Sequence, residues 1–146
     1  MIGSTLALTP SPEARDKTRP NIRPLVLVIE DDYRSSIALS MIIEDWGYAC
    51  IAARCSREAV QTLGARLMKV SAIVTDYQIN GQMSGIKDAG AIVAAIGRPI
   101  PIAVTTGFGD LADEAGTFPV FRKPFDPELL HDWLEYRLKF RAPQWL

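Results

Sequence analysis

Glu30 and Asp31, Asp76, Thr106 and Lys123 are the residues of this 146-residue chain whose types and placement suit chemistry. Each lies at or just past the end of a short apolar run. Residues 25–29 run into Glu30-Asp31-Asp32, residues 72–74 into Thr75-Asp76, residues 100–104 into Thr105-Thr106-Gly107, and residues 119–121 into Arg122-Lys123-Pro124. Apolar runs without polar alternation read as strands buried on both faces, the pattern of a parallel sheet. Parallel strands bring their carboxyl ends to one edge, which is where open α/β sheets keep their ligand crevice. Carboxylates gathered about 5 Å apart repel by roughly 3 kcal/mol per pair at an effective dielectric near 20, so such a cluster calls for a cation or a proton. An all-oxygen donor set suits octahedral Mg²⁺, with Mn²⁺ as a substitute.

Between these strands the sequence reads as helices. From Tyr33 to Trp46, Ile37, Ala38, Met41 and Ile42 recur at helical spacing, with Gly47 as a C-terminal cap. Residues 48–53 form a short strand, and Ser56 is the expected N-cap of a helix through about Leu67. The Gly-rich loop 80–85 leads to a helix with Ile86, Ala89, Val93 and Ile96 on one face, stopped by Gly97 and Pro99. Residues 108–117 hold at most a short or irregular helix. Asp126-Pro127 opens the last helix as N-cap and first-turn proline, with Leu130, Trp133, Leu134 and Leu138 on its buried face. Strand and helix alternating five times imply one α/β domain with a parallel sheet covered on both sides.

Composition agrees with a single domain: 48% hydrophobic and 23% charged is ordinary for a globular chain. Residues 1–24 carry Pro10, Pro12, Pro20 and Pro24 without periodicity and read as a mobile arm. That arm has four basic and two acidic side chains, leaving twelve and fifteen elsewhere. The folded part is mildly acidic, which argues against a nucleic-acid partner. No apolar run approaches the roughly 20 residues of a membrane helix, and no secretory signal opens the chain, so a soluble cytoplasmic protein is expected. Cys50 and Cys55 lack CxxC spacing and are expected to stay reduced.

The acidic pair after the first strand, the lone Asp76 after the third, Thr106 after the fourth and Lys123-Pro124 after the fifth together resemble the receiver domain of two-component response regulators. The resemblance spans residues 25–140, leaving 141–146 as a tail. It implies a flavodoxin-like (βα)5 three-layer sandwich with strand order 2-1-3-4-5. It implies that Asp76 is the phosphoacceptor, charged by a sensor histidine kinase or a histidine phosphotransfer protein. Asp31 and Asp76 would then bind Mg²⁺ directly, Glu30 through water, and Gln78 by its backbone carbonyl. Thr106 and Lys123 would hold phosphoryl oxygens, and Lys123-Pro124 would be cis. The resemblance makes the chain a signalling module and not a metabolic enzyme, catalysing only its own phosphorylation and dephosphorylation. Output would run through protein contacts or onward phosphotransfer, from a monomer or a weak phosphorylation-dependent dimer.

Some positions depart from the family's usual pattern. Val120 stands where an aromatic usually couples to the threonine, and Phe121, one residue on, points to the opposite face. Asn80 replaces a usual proline and Ser84 a frequent acid, while Gly85 matches. The segment between Thr106 and Lys123 is short, so the usual dimer built beside it is not expected. Two other readings compete: an interaction module of this fold that works without phosphate, and a small metal-dependent α/β enzyme acting on a phosphorylated metabolite. His131 and Trp133 are assigned no chemical role, Trp133 being expected in the core.

Overall fold

The computed structural model describes residues 23–107 and 116–140. All but the last two residues of both the expected arm and the segment 108–117, together with the tail 141–146, lie outside the described residues. The elements are β1 (Leu25–Ile29), α1 (Tyr33–Asp45), β2 (Ala49–Ala53), α2 (Ser56–Leu63), a 3₁₀ segment (Gly64–Lys69), β3 (Val70–Asp76), α3 (Gly85–Ile96), β4 (Ile102–Thr106), β5 (Val120–Arg122) and α4 (Pro127–Leu138). All strand pairs are parallel, in the order β2-β1-β3-β4-β5. This is the flavodoxin-like sheet that the family resemblance implied.

The strand pleat divides the core in two. Leu27, Ile29, Ile73 and Val104 face α2 and α3, joined by Ala59, Leu63, Ala89 and Ile92. Val26, Val28, Val74 and Ala103 face the other way, against Ile43 of α1 and Leu130 and Leu134 of α4. Fully burying a side chain of this size is worth about 1.5–3 kcal/mol, so these central strands are the most firmly held part of the molecule. Register then sets the site: Ile29 pairs with Thr75, Asp76 with Thr105, and Thr106 with Arg122. Residues one step past each strand therefore meet along one edge.

Several local expectations are corrected. On α1 the buried residue is Ile43, with Leu39, Ile42 and Trp46 packed beside it. Ile37 and Met41 instead point outward, 40% and 64% exposed. Apolar residues occur on more than one face of this helix, and the sheet selects the phase that fits. Ser56 is not an N-cap: Cys55 holds that position without a side-chain bond, and Ser56 Oγ donates to Asp88 Oδ1 of α3 at 2.6 Å. The α2 helix ends at Leu63, because Gly64 takes a positive φ of 53° and the chain tightens into the 3₁₀ segment. The Asp126 cap stands, its side chain accepting from Glu128 N, with Pro127 at the first turn. Asp32 likewise caps α1, accepting from Ser35 N at 2.9 Å.

Candidate functional site

Glu30, at the end of β1, is held by its backbone N–H donating to Ala53 O of β2 at 2.9 Å, and it is only 5% exposed. Its Oε1 accepts from Lys123 Nζ at 2.9 Å and its Oε2 from Asp32 N at 3.1 Å. Asp76 ends β3, and the following Tyr77 N–H donates to Thr105 O at 2.8 Å, which fixes the strand end. Lys123 Nζ stands 3.5 Å from Asp76 Oδ1, so one ammonium lies between two carboxylates. Its backbone N–H donates to Thr106 O at 2.7 Å, and the Lys123-Pro124 bond is cis. Glu30, Asp31 and Asp76 each offer one oxygen within 4.8 Å of the others.

Electrostatics follow from this geometry. Burial pushes the Glu30 carboxyl above its usual range, partly offset by the hydrogen bonds from Lys123 and from Asp32 N–H, while the charge on Asp76 adds to the rise. For Lys123 burial works against the charged form, but the hydrogen bond and charge of Glu30 and the charge of Asp76 outweigh it and raise its pKa. The ammonium is therefore a fixed positive charge at the mouth of the cluster. With Glu30 bound to Lys123, the carboxylates of Asp31 and Asp76 remain for a cation. Their hard oxygens, close together on a rigid sheet edge, fit Mg²⁺ by donor chemistry.

The structure thus gathers Glu30, Asp31, Asp76 and Lys123. Thr106 is fully buried at the end of β4, the strand next to Asp76, and half-buried Gln78 follows Asp76 by two residues, at the foot of a tight turn. In that turn Ile79 and Gln82 exchange backbone hydrogen bonds of 2.8 and 2.9 Å, while Asn80 and Gly81 take φ of 52° and 75°. Where a proline would have no N–H, Asn80 N–H donates to Asp31 Oδ2 at 2.8 Å. Sequence reasoning missed this contact, although the Asn-Gly dipeptide is a strong signal for such a turn.

It also missed that an apolar stripe of α1 stays exposed. Tyr33, Ile37 and Met41, spaced four apart on α1, are exposed and line a groove of about 580 Å³ together with Glu30, Asp31, Arg54 and Glu58. A third feature ties α2 to α3, where the Asp88 carboxylate accepts from Ser56 Oγ and, at 3.3 Å, from Ser84 Oγ. Outside the site, His131 stacks on Trp46 with ring centroids 4.4 Å apart. Trp133 is only partly buried, packed against the α1 and α4 side of the core. Cys50 and Cys55 pack against opposite core clusters, and burial pushes the Cys50 thiol up to about 11.

Solved structures share this architecture. The chain superimposes on the receiver domain of PhyR from Erythrobacter litoralis with a TM-score of 0.67 at 20% identity, covering 84% of this chain and 95% of that one. The chemotaxis protein CheY4 of Vibrio cholerae gives 0.66 at 21% identity, with 79% and 98% covered. The anti-anti-sigma factor PhyR of Bartonella quintana gives 0.67 at 26% identity, but the chain spans 88% of itself and only 52% of that protein. No curated protein matches the chain in sequence. The family described as "Response regulator receiver domain" matches residues 26–135, three quarters of the length, and the chain belongs to that family.

Proposed function

We propose that Asp76 accepts a phosphoryl group from a phosphohistidine on a partner protein. The observation that carries this is the convergence of Asp76 with Glu30, Asp31 and the Lys123 ammonium at the carboxyl edge of the sheet. Members of this family are signalling proteins, so the product is a modified surface and not a released metabolite. An Asp76 oxygen attacks phosphorus as the phosphorus–nitrogen bond breaks, and the imidazole leaves with the bonding pair and takes a proton from solvent. Lys123 places positive charge beside the oxygens on which negative charge spreads, and the Thr106 hydroxyl donates to one of them. Asp31, Asp76 and the Gln78 carbonyl would hold Mg²⁺, with Glu30 bound through water. Bound there, the cation would neutralise phosphoryl charge, leaving the chain chiefly to position the groups.

Intact-mass measurement after incubation with acetyl phosphate tests this reading. A single Mg²⁺-dependent phosphoryl adduct is expected on the wild type and none on Asp76→Asn. An unmodified wild type that is folded by circular dichroism would overturn it.

The donor is best taken as a histidine-bearing helix seated along Tyr33, Ile37 and Met41, because that stripe is continuous with the acidic pocket. A helix laid into a groove reads such i, i+4 anchors. Changing Ile37 and Met41 together to Glu should slow transfer from a phosphorylated histidine donor by about 30-fold, the loss of roughly 2 kcal/mol typical of a central contact. Labelling by acetyl phosphate should be unchanged, and equal slowing of both reactions would sink the docking assignment. This chemistry belongs to a cytoplasmic signalling protein. Among the described residues no helix is long and apolar enough to cross a membrane.

Val120 favours a second reading, in which the module binds its partner without phosphate. Val120 packs half-buried on the α2 and α3 side, whereas Phe121 packs on the other side with its ring 5.6 Å from that of Phe125. The aromatic of β5 thus lies on the opposite side of the sheet from Val120, the position where the family's switch aromatic usually stands. Partner capture that is equal for wild type and Asp76→Asn would favour this reading.

A further inference from the structure

Asp31 and the loop after β3 are joined by one bond that neither strand register nor helix packing requires: Asn80 N–H donates to Asp31 Oδ2 at 2.8 Å, across 49 residues of sequence. The donor sits at the tip of a two-residue hairpin closed by two backbone hydrogen bonds between Ile79 and Gln82. The positive φ values of Asn80 and Gly81 are those of a type I′ turn, which aims the Asn80 amide out of the hairpin and toward the sheet edge. Gln78 immediately precedes the hairpin. The bond therefore yokes two donors that come from different elements, a carboxylate after β1 and a carbonyl after β3.

We infer that Asn80 is a positioning residue for the divalent cation: its amide holds one oxygen of Asp31 and so orients the other toward Asp76. This rests on the cation reading given above. A carboxylate oxygen engaged by an N–H is fixed in rotamer, and the hairpin cannot tilt without carrying the Gln78 carbonyl with it. Asp31 is half-buried and, among the described residues, has no ammonium among its hydrogen bonds, unlike Glu30, so the Asn80 amide is the restraint on it there. Hydrogen-bond partners of metal-ligating carboxylates typically contribute 10–100-fold to affinity.

Calorimetric titration of the full chain with MgCl₂ tests the inference without any turnover. Asn80→Gly keeps the N–H and suits the positive φ, and should bind Mg²⁺ within about twofold of wild type. Asn80→Pro removes the N–H and cannot adopt that φ, and should weaken binding about tenfold. Gly81→Val keeps every N–H but strains the turn at a φ of 75°, and should weaken binding similarly. It provides a second route if Asn80→Pro does not fold. Wild-type affinity in both Asn80→Pro and Gly81→Val would overturn the positioning role while leaving the cation site intact. No binding by the wild type up to tens of millimolar would instead overturn the cation site, and the positioning role with it.

Discussion

Replacing Gly85 with Ala should destabilise the protein by about 3 kcal/mol and lower its melting temperature by roughly 10 °C. Gly85 opens α3 directly over the end of β3, its N–H donating to Tyr77 O at 2.9 Å and its carbonyl accepting from Thr75 Oγ1 at 3.3 Å. A Cβ there would lie 1.7 Å from Asp76 O, 2.8 Å from Asp76 C and 3.0 Å from Tyr77 Cα. All three are backbone atoms of a buried strand end, so no side-chain rotation relieves the clash. The helix must lift or Asp76 must move, and either shift carries the acidic edge out of register. Acetyl phosphate labelling of whatever fraction remains folded should therefore fall as well. Thermal melts read by circular dichroism decide this; a melting point within a degree of wild type would mean that α3 is not seated so closely.

Lys123→Met should cost about 2 kcal/mol at pH 7, and adding Glu30→Gln should restore most of it. Met keeps the apolar stem but leaves the buried Glu30 carboxylate with only the Asp32 N–H. The Lys123 side chain is 35% exposed, so solvent screens the pair and the loss stays below that of a fully buried one. The pH dependence has a definite sign. Because the folded-state pKa of Glu30 is raised above its usual 4.5, the folded protein holds that proton at a pH where the unfolded chain has lost it. Its stabilising contribution is complete below about pH 4.5 and is lost as pH rises through the folded value. Without Lys123 that window moves further upward. The gap between variant and wild type should therefore be widest near neutrality and narrow toward pH 4. Urea melts across this range measure it, and a gap independent of pH would show that Glu30 is not the group left unpaired.

The acidic edge was legible because it follows from strand identity alone. Unalternating runs such as 25–29 and 72–74 announce central parallel strands, and whatever follows them must share the carboxyl edge. The opposite facings of Val120 and Phe121 were legible for a similarly local reason, a two-residue period, whereas the cis Lys123-Pro124 bond was expected from the family resemblance, an X-Pro sequence only permitting it. Less legible were choices settled by distant neighbours. Ser56 has the chemistry of a cap, yet its hydroxyl is taken by Asp88, 32 residues away. Ile37 and Met41 fit a helical stripe as well as Ile43 does, and only the packing of α1 on the sheet turns them outward. The pairing of Glu30 with Lys123, across 93 residues, needed the sheet order before it could be seen.

Both ends of the described fold lie at the amino edge of the sheet. Pro24 O, just before β1, accepts from Ala49 N at the start of β2, and Phe140, just past α4, has its ring 5.3 Å from that of Tyr48. Asp76 closes the opposite edge, about 16 Å away across five residues of strand. Pro24 and Phe140 thus stand at the opposite edge of the sheet from Asp76. A change at the acidic edge would have to cross the length of the central strands to be felt at either point.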